Sequence, residues 1–193
     1  MICIGVSGTS TNEVSLVIFK ETKFKEVFEI EPEVRADERG YFYRNFAAEI
    51  FHTNGITDSV VHINRGFNTT KGTIRGFHYQ AAPKSEDKIL QALNGSFYDI
   101  VVDLRSDSPT YKKWQGFELS AERKNMLIVP KGYAHGIQTL TDNCELQYFV
   151  TEYYSPDYER GIRYNDSQFG FVWPLGEPTV ISEKDSSWPD FKD

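Results

Sequence analysis

Apolar and polar residues alternate with a period of two along most of this chain, and this pattern constrains the fold more than any other feature. Such a period places successive side chains on opposite faces of an extended strand. Candidate strands occupy residues 114–119, 126–129, 136–140 and 145–153, and turn-forming segments separate them. Many short strands at this spacing favour an all-β sandwich or barrel over a parallel α/β sheet.

The local signals within this pattern predict one hairpin and one helix. Asn94-Gly95 separates apolar runs at 89–93 and 96–104, and Asn-Gly supplies the positive φ angles of a tight hairpin turn. We therefore predict a β-hairpin over these two runs. Residues 45–52 have helical spacing instead, so we predict a helix there that stops before Gly55.

Two acids in the second strand of the predicted hairpin share one face. Alternation places Asp99 and Asp103 beside Phe97 and Val101. A face of this composition fits either a polar cavity or contact with water. We favour water, because nothing else in the local sequence calls for a cavity.

The length of 193 residues suits one well-buried domain and is marginal for two, so we expect a single domain over 1–193. Residues 1–14 are small and polar, and we expect an additional strand or a loose arm there. The tail from Trp173 is rich in Pro, Ser and Asp. We expect it to be ordered but irregular, because Trp173 and Trp188 provide apolar anchors.

Charge and cysteine usage limit the class of partner. A net charge of −7 disfavours a nucleic-acid-binding or anionic-membrane surface, although a local basic cluster could still bind a small anion. Cys3 and Cys144 fit neither a metal spacing nor a disulfide framework, which favours a reducing, cytoplasmic setting. No run approaches the roughly 20 apolar residues that span a bilayer, and we expect no signal peptide.

A histidine, an arginine and a lysine lie close together around residues 72–88. Alternation places His78 and Gln80 on one polar face, while Arg75 should face the other way unless a bend at Gly76 redirects it. Lys88 follows ten residues after His78. An imidazole can accept a proton near pH 7 and an ammonium can stabilise negative charge, which suits chemistry at a carbon beside a carbonyl. A lone histidine in a strand is more often a packed core residue.

Segment 37–44 is the second candidate. Its two arginines, Arg39 and Arg44, stand beside aromatic and small residues and could bind a phosphate and stack a base. A charged loop followed by an ordinary strand explains the same residues equally well.

His135 and Tyr148 each have a functional and a structural interpretation. Small β-barrels often bind iron or zinc through two histidines and an acid. No His-x-His occurs here, and His52 and His62 lie in peripheral segments, so we expect no catalytic metal and no cofactor. Tyr148 shares a face with apolar residues, where a core tyrosine is the default. A phenol that faces a cavity can, however, give or take a proton.

These features together resemble the dTDP-4-dehydrorhamnose 3,5-epimerase family from about residue 32 to residue 185. Six ordered motifs support the resemblance: DERG at 37–40, RGFHYQ at 75–80, DLRSDSPT at 103–110, PKGYAHG at 130–136, ND at 165–166 and WP at 173–174. The resemblance implies a cupin-like jelly-roll barrel with a few short helices, usually a homodimer. It also implies an enzyme that acts on a nucleotide diphosphate 4-keto-6-deoxy sugar without a metal or other cofactor.

The resemblance also implies roles for individual residues. His78 matches the general base of the family, Asp185 the acid that orients this base, and Lys88 the lysine beside the sugar ketone. Tyr148 matches the tyrosine across the ring, and Tyr154 matches a second tyrosine near it.

Further residues match the part of the family site that binds substrate. Arg39, Arg75 and Asn64 match contacts to the nucleotide or diphosphate, and we expect Gln80 to line the same cavity as His78. His135 matches a structural or near-site histidine. At two positions this chain differs from the family pattern, with Arg44 where an acid is typical and His62 where a glutamine is common.

Three alternatives remain open. The chain could invert only C3 or only C5, or use a CDP- or GDP-linked sugar, because Arg44 and His62 lie on the nucleotide side. It could bind a sugar nucleotide without catalysis. The presence of both a candidate base and an opposed candidate acid speaks against this, because binding alone needs neither. A metal-dependent cupin oxygenase is the most distant alternative.

Overall fold

The computed structural model describes residues 17–192, which form thirteen strands and few helices. The strands are β1 (Val17–Glu21), β2 (Phe28–Pro32), β3 (Arg35–Asp37), β4 (Gly40–Phe42), β5 (His62–Asn68), β6 (Ile74–Gln80), β7 (Lys88–Asn94), β8 (Ser96–Asp103), β9 (Trp114–Ser120), β10 (Met126–Val129), β11 (Tyr133–Thr139), β12 (Cys144–Val150) and β13 (Glu159–Gly161). The helices are α1 (Ala48–Thr53), α2 (Glu183–Ser186) and a 3-10 turn at Pro156–Tyr158. The arm predicted at 1–14 lies outside the described residues.

Two antiparallel sheets make up most of the fold. The larger has six strands in the order β1-β2-β10-β7-β12-β5, and the other has five in the order β13-β6-β11-β8-β9. Strands β3 and β4 form a separate hairpin. The interior includes Leu90, Phe97, Val101, Leu127 and Ile137, contributed by both sheets. The all-β prediction is confirmed. Most neighbouring strands within each sheet are not consecutive in the chain, so segments distant in sequence build each sheet.

The hairpin predicted over residues 89–104 is wrong, although both of its strands exist. Strand β7 pairs with β10 and β12 in the larger sheet, whereas β8 pairs with β11 and β9 in the other. Gly95 does adopt a positive φ of 68°. The turn leads the chain from one sheet to the other because Ser96 is held elsewhere: its amide donates to Thr141 Oγ1 at 3.1 Å.

The preference for water at Asp99 and Asp103 is also wrong, because both side chains are fully buried. They lie on the interior face of β8 with Phe97 and Val101. Asp103 binds the guanidinium of Arg105 at 2.8 Å. Asp99 has a partner in His135, which is distant in sequence, so local alternation alone does not reveal why both acids can be buried.

Predicted element boundaries agree with the structure to within about three residues, as expected for frayed ends. Strand β10 begins and ends where predicted, whereas β11 begins three residues earlier than predicted. Helix α1 starts at Ala48 because the preceding residues are extended, and the Phe46 ring packs 4.7 Å from that of Phe51.

The tail packs across the outer face of the five-stranded sheet. Trp173 contributes to a buried cluster with Ile74 and Phe77 and donates from Nε1 to the Tyr164 carbonyl at 2.9 Å. Farther along, the amide of Ile74 donates to the Val180 carbonyl at 2.9 Å. The expected ordered, irregular tail is therefore observed, with the short helix α2 near its end.

Candidate active site

His78 and Asp185 form a hydrogen-bonded pair between β6 and α2. Nε2 of His78 lies 2.7 Å from Oδ1 of Asp185, and the Gly76 amide donates to Oδ2 at 3.2 Å. Asp185 is buried, and its own amide donates to Ser182 Oγ at 3.0 Å, which caps α2. Two contacts thus fix the carboxylate, a third fixes its backbone, and the carboxylate fixes the imidazole in turn.

The electrostatics of Asp185 favour its charged form. Burial raises the pKa of the carboxyl, but the hydrogen bond and charge of His78 and the Gly76 amide more than offset this, so the pKa lies below its ordinary value. A carboxylate that accepts one ring N–H leaves the lone pair on the other ring nitrogen of the imidazole. With the carboxylate bound to Nε2, Nδ1 is the ring nitrogen left to accept a proton whenever the imidazole is neutral.

An irregularity at Gly76 brings Arg75 to the face that carries His78. His78 lies opposite His135 in the β6–β11 ladder, Arg75 lies opposite Ile137, and the register shifts between them. Because His135 and Ile137 are two residues apart, they share one face, and so do the residues paired with them. Gly76 has a φ of 109°, which suits the bend. The redirected Arg75 donates from Nε to Asn68 Oδ1 at 2.5 Å.

Lys88 brings a positive charge to the base. It is the first residue of β7, and its largely buried Nζ donates to the His78 carbonyl at 3.4 Å. The same atom lies 3.3 Å from Oε1 of Glu86. The ammonium is therefore held between the backbone of β6 and the carboxylate of Glu86, which directly precedes β7.

Tyr148 lies on β12 opposite Leu90 on one side and Asn64 on the other, so the three side chains share a face. Burial raises the pKa of the Tyr148 phenol, the charge of Glu86 raises it further, and the charge of Arg75 lowers it. The phenol therefore stays protonated over the physiological range, as a proton donor must.

A second histidine–carboxyl pair lies beside the first. His135 Nδ1 is 3.0 Å from Oδ2 of the buried Asp99. Burial lowers the pKa of His135 and raises that of Asp99, and the charges of Lys88 and His78 further lower that of His135. The lowered pKa of His135 and the raised pKa of Asp99 both favour the neutral form of the side chain. A neutral pair suits a structural or near-site role.

Tyr154 belongs to a chain of contacts that leads to α2. Its hydroxyl donates to Glu159 Oε2 at 2.8 Å, and Lys184 Nζ lies 2.5 Å from Oε1 of the same carboxylate. Lys184 directly precedes Asp185. Our sequence predictions did not include Glu86, Glu159 or Lys184. Spacing could have indicated Glu86, which stands two residues before Lys88 and so on the same side of an extended segment.

The other residues predicted to bind substrate are less closely connected to this cluster. The exposed Arg39 in the β3–β4 hairpin binds Asp37, and Arg44 is exposed. The His62 ring packs edge-on at 5.3 Å from that of Tyr153. Gln80 is buried.

Both ends of the Gln80 amide bind protein. Nε2 donates to the Lys84 carbonyl at 3.0 Å, and Oε1 accepts from the Ser155 amide at 2.6 Å. A substrate contact at Gln80 would have to replace one of these bonds.

Residues 17–192 contain neither a cluster of metal-binding side chains nor a membrane-spanning helix. No group of three or more His, Cys, Asp or Glu side chains in this range is arranged to hold a metal ion. Within the same range, no helix combines the length and apolar character needed to cross a bilayer.

Solved structures of similar shape identify the fold. The dTDP-4-dehydrorhamnose 3,5-epimerase from Bacillus anthracis, solved with TDP and PPi bound, is 40% identical and superposes with a TM-score of 0.88 over 91% of this chain and 100% of its own. A dTDP-6-deoxy-D-glucose-3,5-epimerase from Legionella pneumophila, solved in complex with dTDP-4-keto-L-rhamnose, is 38% identical, with a TM-score of 0.84 over 90% of this chain and 92% of its own. The fold is a cupin-like jelly roll, and fold and site together define a carbohydrate epimerase.

Sequence comparison identifies the family within that class. The family model described as dTDP-4-dehydrorhamnose 3,5-epimerase matches residues 21–193. A dTDP-4-dehydrorhamnose 3,5-epimerase from Methanothermobacter thermautotrophicus is 38% identical over 177 residues, which are 91% of this chain and 95% of that protein. The chain belongs to the dTDP-4-dehydrorhamnose 3,5-epimerase family.

Proposed function

We propose that this protein inverts C3 and C5 of a dTDP-linked 4-keto-6-deoxy sugar by removing and returning a proton at each carbon. The observation that carries the proposal is the His78–Asp185 pair, with the Lys88 ammonium donating to the backbone of the same histidine. Enolate chemistry requires a base beside a fixed positive charge, and the proximity of these two side chains supports the proposal that they supply both.

The chemistry assigns one task to each of four side chains. C3 and C5 flank the C4 ketone, so their protons become acidic only when charge moves onto the C4 oxygen. Lys88 stabilises that oxyanion, and His78 removes the proton. Asp185 fixes the histidine tautomer and stabilises the imidazolium that forms. Tyr148 returns a proton to the opposite face of the ring, which inverts the carbon.

Binding energy from the nucleotide and diphosphate positions the sugar for these steps. Arg75 supplies a guanidinium at the polar face, and Asn64 lies directly opposite Tyr148. Arg39, Arg44 and His62 are proposed to contact the nucleotide or diphosphate. Tyr154 is proposed to seat the ring, and Gln80 to hold the wall of the cavity.

The proposal extends to assembly and location. We propose that the chain works as a single-domain unit, as a homodimer and in the cytoplasm. Support for a dimer comes from large exposed apolar side chains on the β3–β4 hairpin and on the edge strand β5, including Tyr41, Phe42, Ile63 and Phe67. Light scattering of the purified protein measures the mass directly, and a monomer at micromolar concentration would contradict this part.

The central test is proton NMR in deuterated water with dTDP-4-keto-6-deoxyglucose. We expect the signals at both C3 and C5 to disappear as deuterium enters, with formation of the rhamno-configured product. The matched control is His78→Asn, which keeps a polar side chain but removes the base, and we expect no exchange with it. Loss of only one signal would restrict the activity to one carbon, and no exchange in the unmodified protein would refute the proposal.

A further inference from the structure

Glu86 contacts the machinery of the active site, yet the mechanism above gives it no task. The residue lies just before β7, and its side chain is only 12% exposed. A carboxylate buried to this extent loses much of its hydration, so it needs a specific partner to stabilise its charge. Burial raises the pKa of Glu86, and the charge and hydrogen bond of Lys88 oppose that rise.

The first partner of Glu86 is Lys88. Oε1 of the carboxylate lies 3.3 Å from Nζ, and the other described contact of that ammonium is a long bond of 3.4 Å to the His78 carbonyl. A lysine side chain has a flexible four-carbon stem, so one long hydrogen bond would leave its head poorly fixed. The carboxylate supplies the second contact that defines where the ammonium lies.

The second partner fixes Glu86 itself. Gln80 donates from Nε2 to Oε2 at 3.4 Å, while its Oε1 accepts from the Ser155 amide. Gln80 belongs to β6, the strand of His78, so the carboxylate is attached to the same strand as the proposed base. One oxygen of Glu86 therefore faces β6 and the other faces the ammonium.

Tyr148 on β12 lies opposite Leu90, two residues after Lys88 on β7, so the phenol shares a face with the lysine that Glu86 binds, and the charge of Glu86 reaches it. Among the charged groups that act on this phenol, Glu86 raises its pKa and Arg75 on β6 lowers it, both on top of the larger effect of burial. A single carboxylate thus acts on two of the side chains that the proposed reaction needs. Glu152 and Asp87, which lie nearby, act on Glu86 rather than on the phenol.

We propose that Glu86 is a positioning residue of this active site, holding the Lys88 ammonium beside His78 and acting by its charge on the Tyr148 phenol. The proposal rests on the proposed roles of Lys88 and Tyr148. It divides into a positional effect on the lysine and a charge effect on the tyrosine, and two substitutions separate them.

Glu86→Ala removes the anchor of the ammonium. We expect kcat to fall between about 10- and 100-fold, because misplacement of a catalytic group by about 1 Å has effects of this size. KM should change by less than about threefold, because the nucleotide contacts stay intact. Glu152→Ala, which removes a neighbouring carboxylate bound to Lys84 at 3.4 Å, is the matched control and should keep kcat.

Glu86→Gln keeps an oxygen acceptor for Lys88 and removes only the charge. Loss of a nearby negative charge lowers the pKa of a phenol, so Tyr148 should titrate at lower pH than in the unmodified protein. Protein labelled with ¹³C at tyrosine Cζ reports this titration by NMR without substrate, and Tyr148→Phe assigns the resonance. Glu152→Gln should leave the titration unchanged.

The substrate-free titration separates this inference from the proposed function. If the unmodified protein does not epimerise, the function fails while the titration still tests Glu86. A Tyr148 resonance that titrates identically with Glu86→Gln and without it overturns the charge effect. A kcat for Glu86→Ala within threefold of the unmodified enzyme overturns the positional effect.

Discussion

The imidazole of His78 is held by the carboxylate of Asp185 at 2.7 Å although 107 residues separate them in the chain. The first lies in β6 and the second in the tail that packs on that strand. The Thr179 amide donates to the Gly72 carbonyl and the Ile74 amide donates to the Val180 carbonyl, which aligns the tail with the strand. The orientation of the proposed base therefore depends on the last twenty residues as much as on its own strand.

Asp185→Asn should remove most of the activity while leaving the fold intact. An amide in place of the carboxylate can present an N–H to the ring, which favours the wrong tautomer, and it cannot stabilise an imidazolium. We expect kcat to fall roughly 10²- to 10⁴-fold with a smaller change in KM. Steady-state kinetics measure both constants. Asp190→Asn, at an exposed acid paired with Arg163, is the control and should keep full activity.

Tyr148→Phe should separate proton removal from inversion. The phenol is proposed to return the proton on the far face of the ring, whereas His78 removes it from the near face. We expect exchange of the C3 and C5 protons with deuterium to persist while product formation falls by about 10²-fold or more. NMR measures both rates in one sample. An equal fall in both would show that Tyr148 is not the acid on the opposite face.

Gly76→Ala should destabilise the protein more than an alanine at another glycine with positive φ. A Cβ at Gly76 would lie 2.8 Å from both the Gly136 Cα and the His135 carbonyl oxygen. At Gly55, where φ is 96°, the same atom meets nothing within 4 Å. We expect about 1–2 kcal/mol at Gly55 from backbone conformation alone and roughly 3 kcal/mol or more at Gly76 from added overpacking.

Urea unfolding of the two glycine variants measures the difference. Similar midpoints would mean that the β6–β11 contact is loose enough to accept a methyl group. Activity should also fall in Gly76→Ala, because the bend at this residue brings Arg75 and His78 to one face.

The free energy of unfolding should fall as the pH is lowered below about 4, because the Asp103 carboxyl then takes up a proton. Burial raises the pKa of this carboxyl, but hydrogen bonds from Arg105, Ser108 and Thr110 outweigh burial and lower the pKa from 3.8 to about 2. The ionised form therefore stabilises the fold above the unfolded-state pKa, and this contribution disappears as the pH falls through about 2. The contribution should be on the order of 2 kcal/mol.

Urea unfolding of the unmodified protein and of Asp103→Asn between pH 7 and pH 2 measures this contribution to the free energy of unfolding. We expect a constant difference in unfolding free energy down to about pH 4 that shrinks below it. Asp107→Asn, at an exposed acid in the following loop, should show no such trend. A difference that does not change with pH would show that folding does not lower the pKa of Asp103.

Nucleotide preference can be read from thermal stability. A ligand that binds only the folded state raises the apparent melting temperature, and at equal concentration a tighter ligand raises it more. We expect dTDP to raise it more than CDP or GDP at equal concentration. Arg75→Ala should reduce the dTDP shift, because it removes a proposed diphosphate contact. A larger shift with CDP or GDP would show that Arg44 and His62 alter the base preference.

The sequence predicted the local structure of most strands because alternation is a property of adjacent residues. Strands β9, β10 and β12 lie close to their predicted bounds, His78 shares a face with Gln80, and Tyr148 packs with Leu146, as alternation indicated. Two-residue periodicity also predicts that Arg75 can face the same way as His78 only through a bend at Gly76, and the register shift in the β6–β11 ladder shows that bend. The part of Arg75 in the site stays a prediction.

Only the tertiary structure decided which strands pair and which acids are buried. The Asn94-Gly95 turn looks like a hairpin locally, but β7 pairs with β10 and β12 and β8 pairs with β11 and β9, so the chain crosses from one sheet to the other at this turn. Asp99 is buried because His135, from a strand distant in sequence, provides its partner. Period-two alternation specifies two faces for each strand, whereas the identity of the neighbour that covers each face is a property of the whole chain.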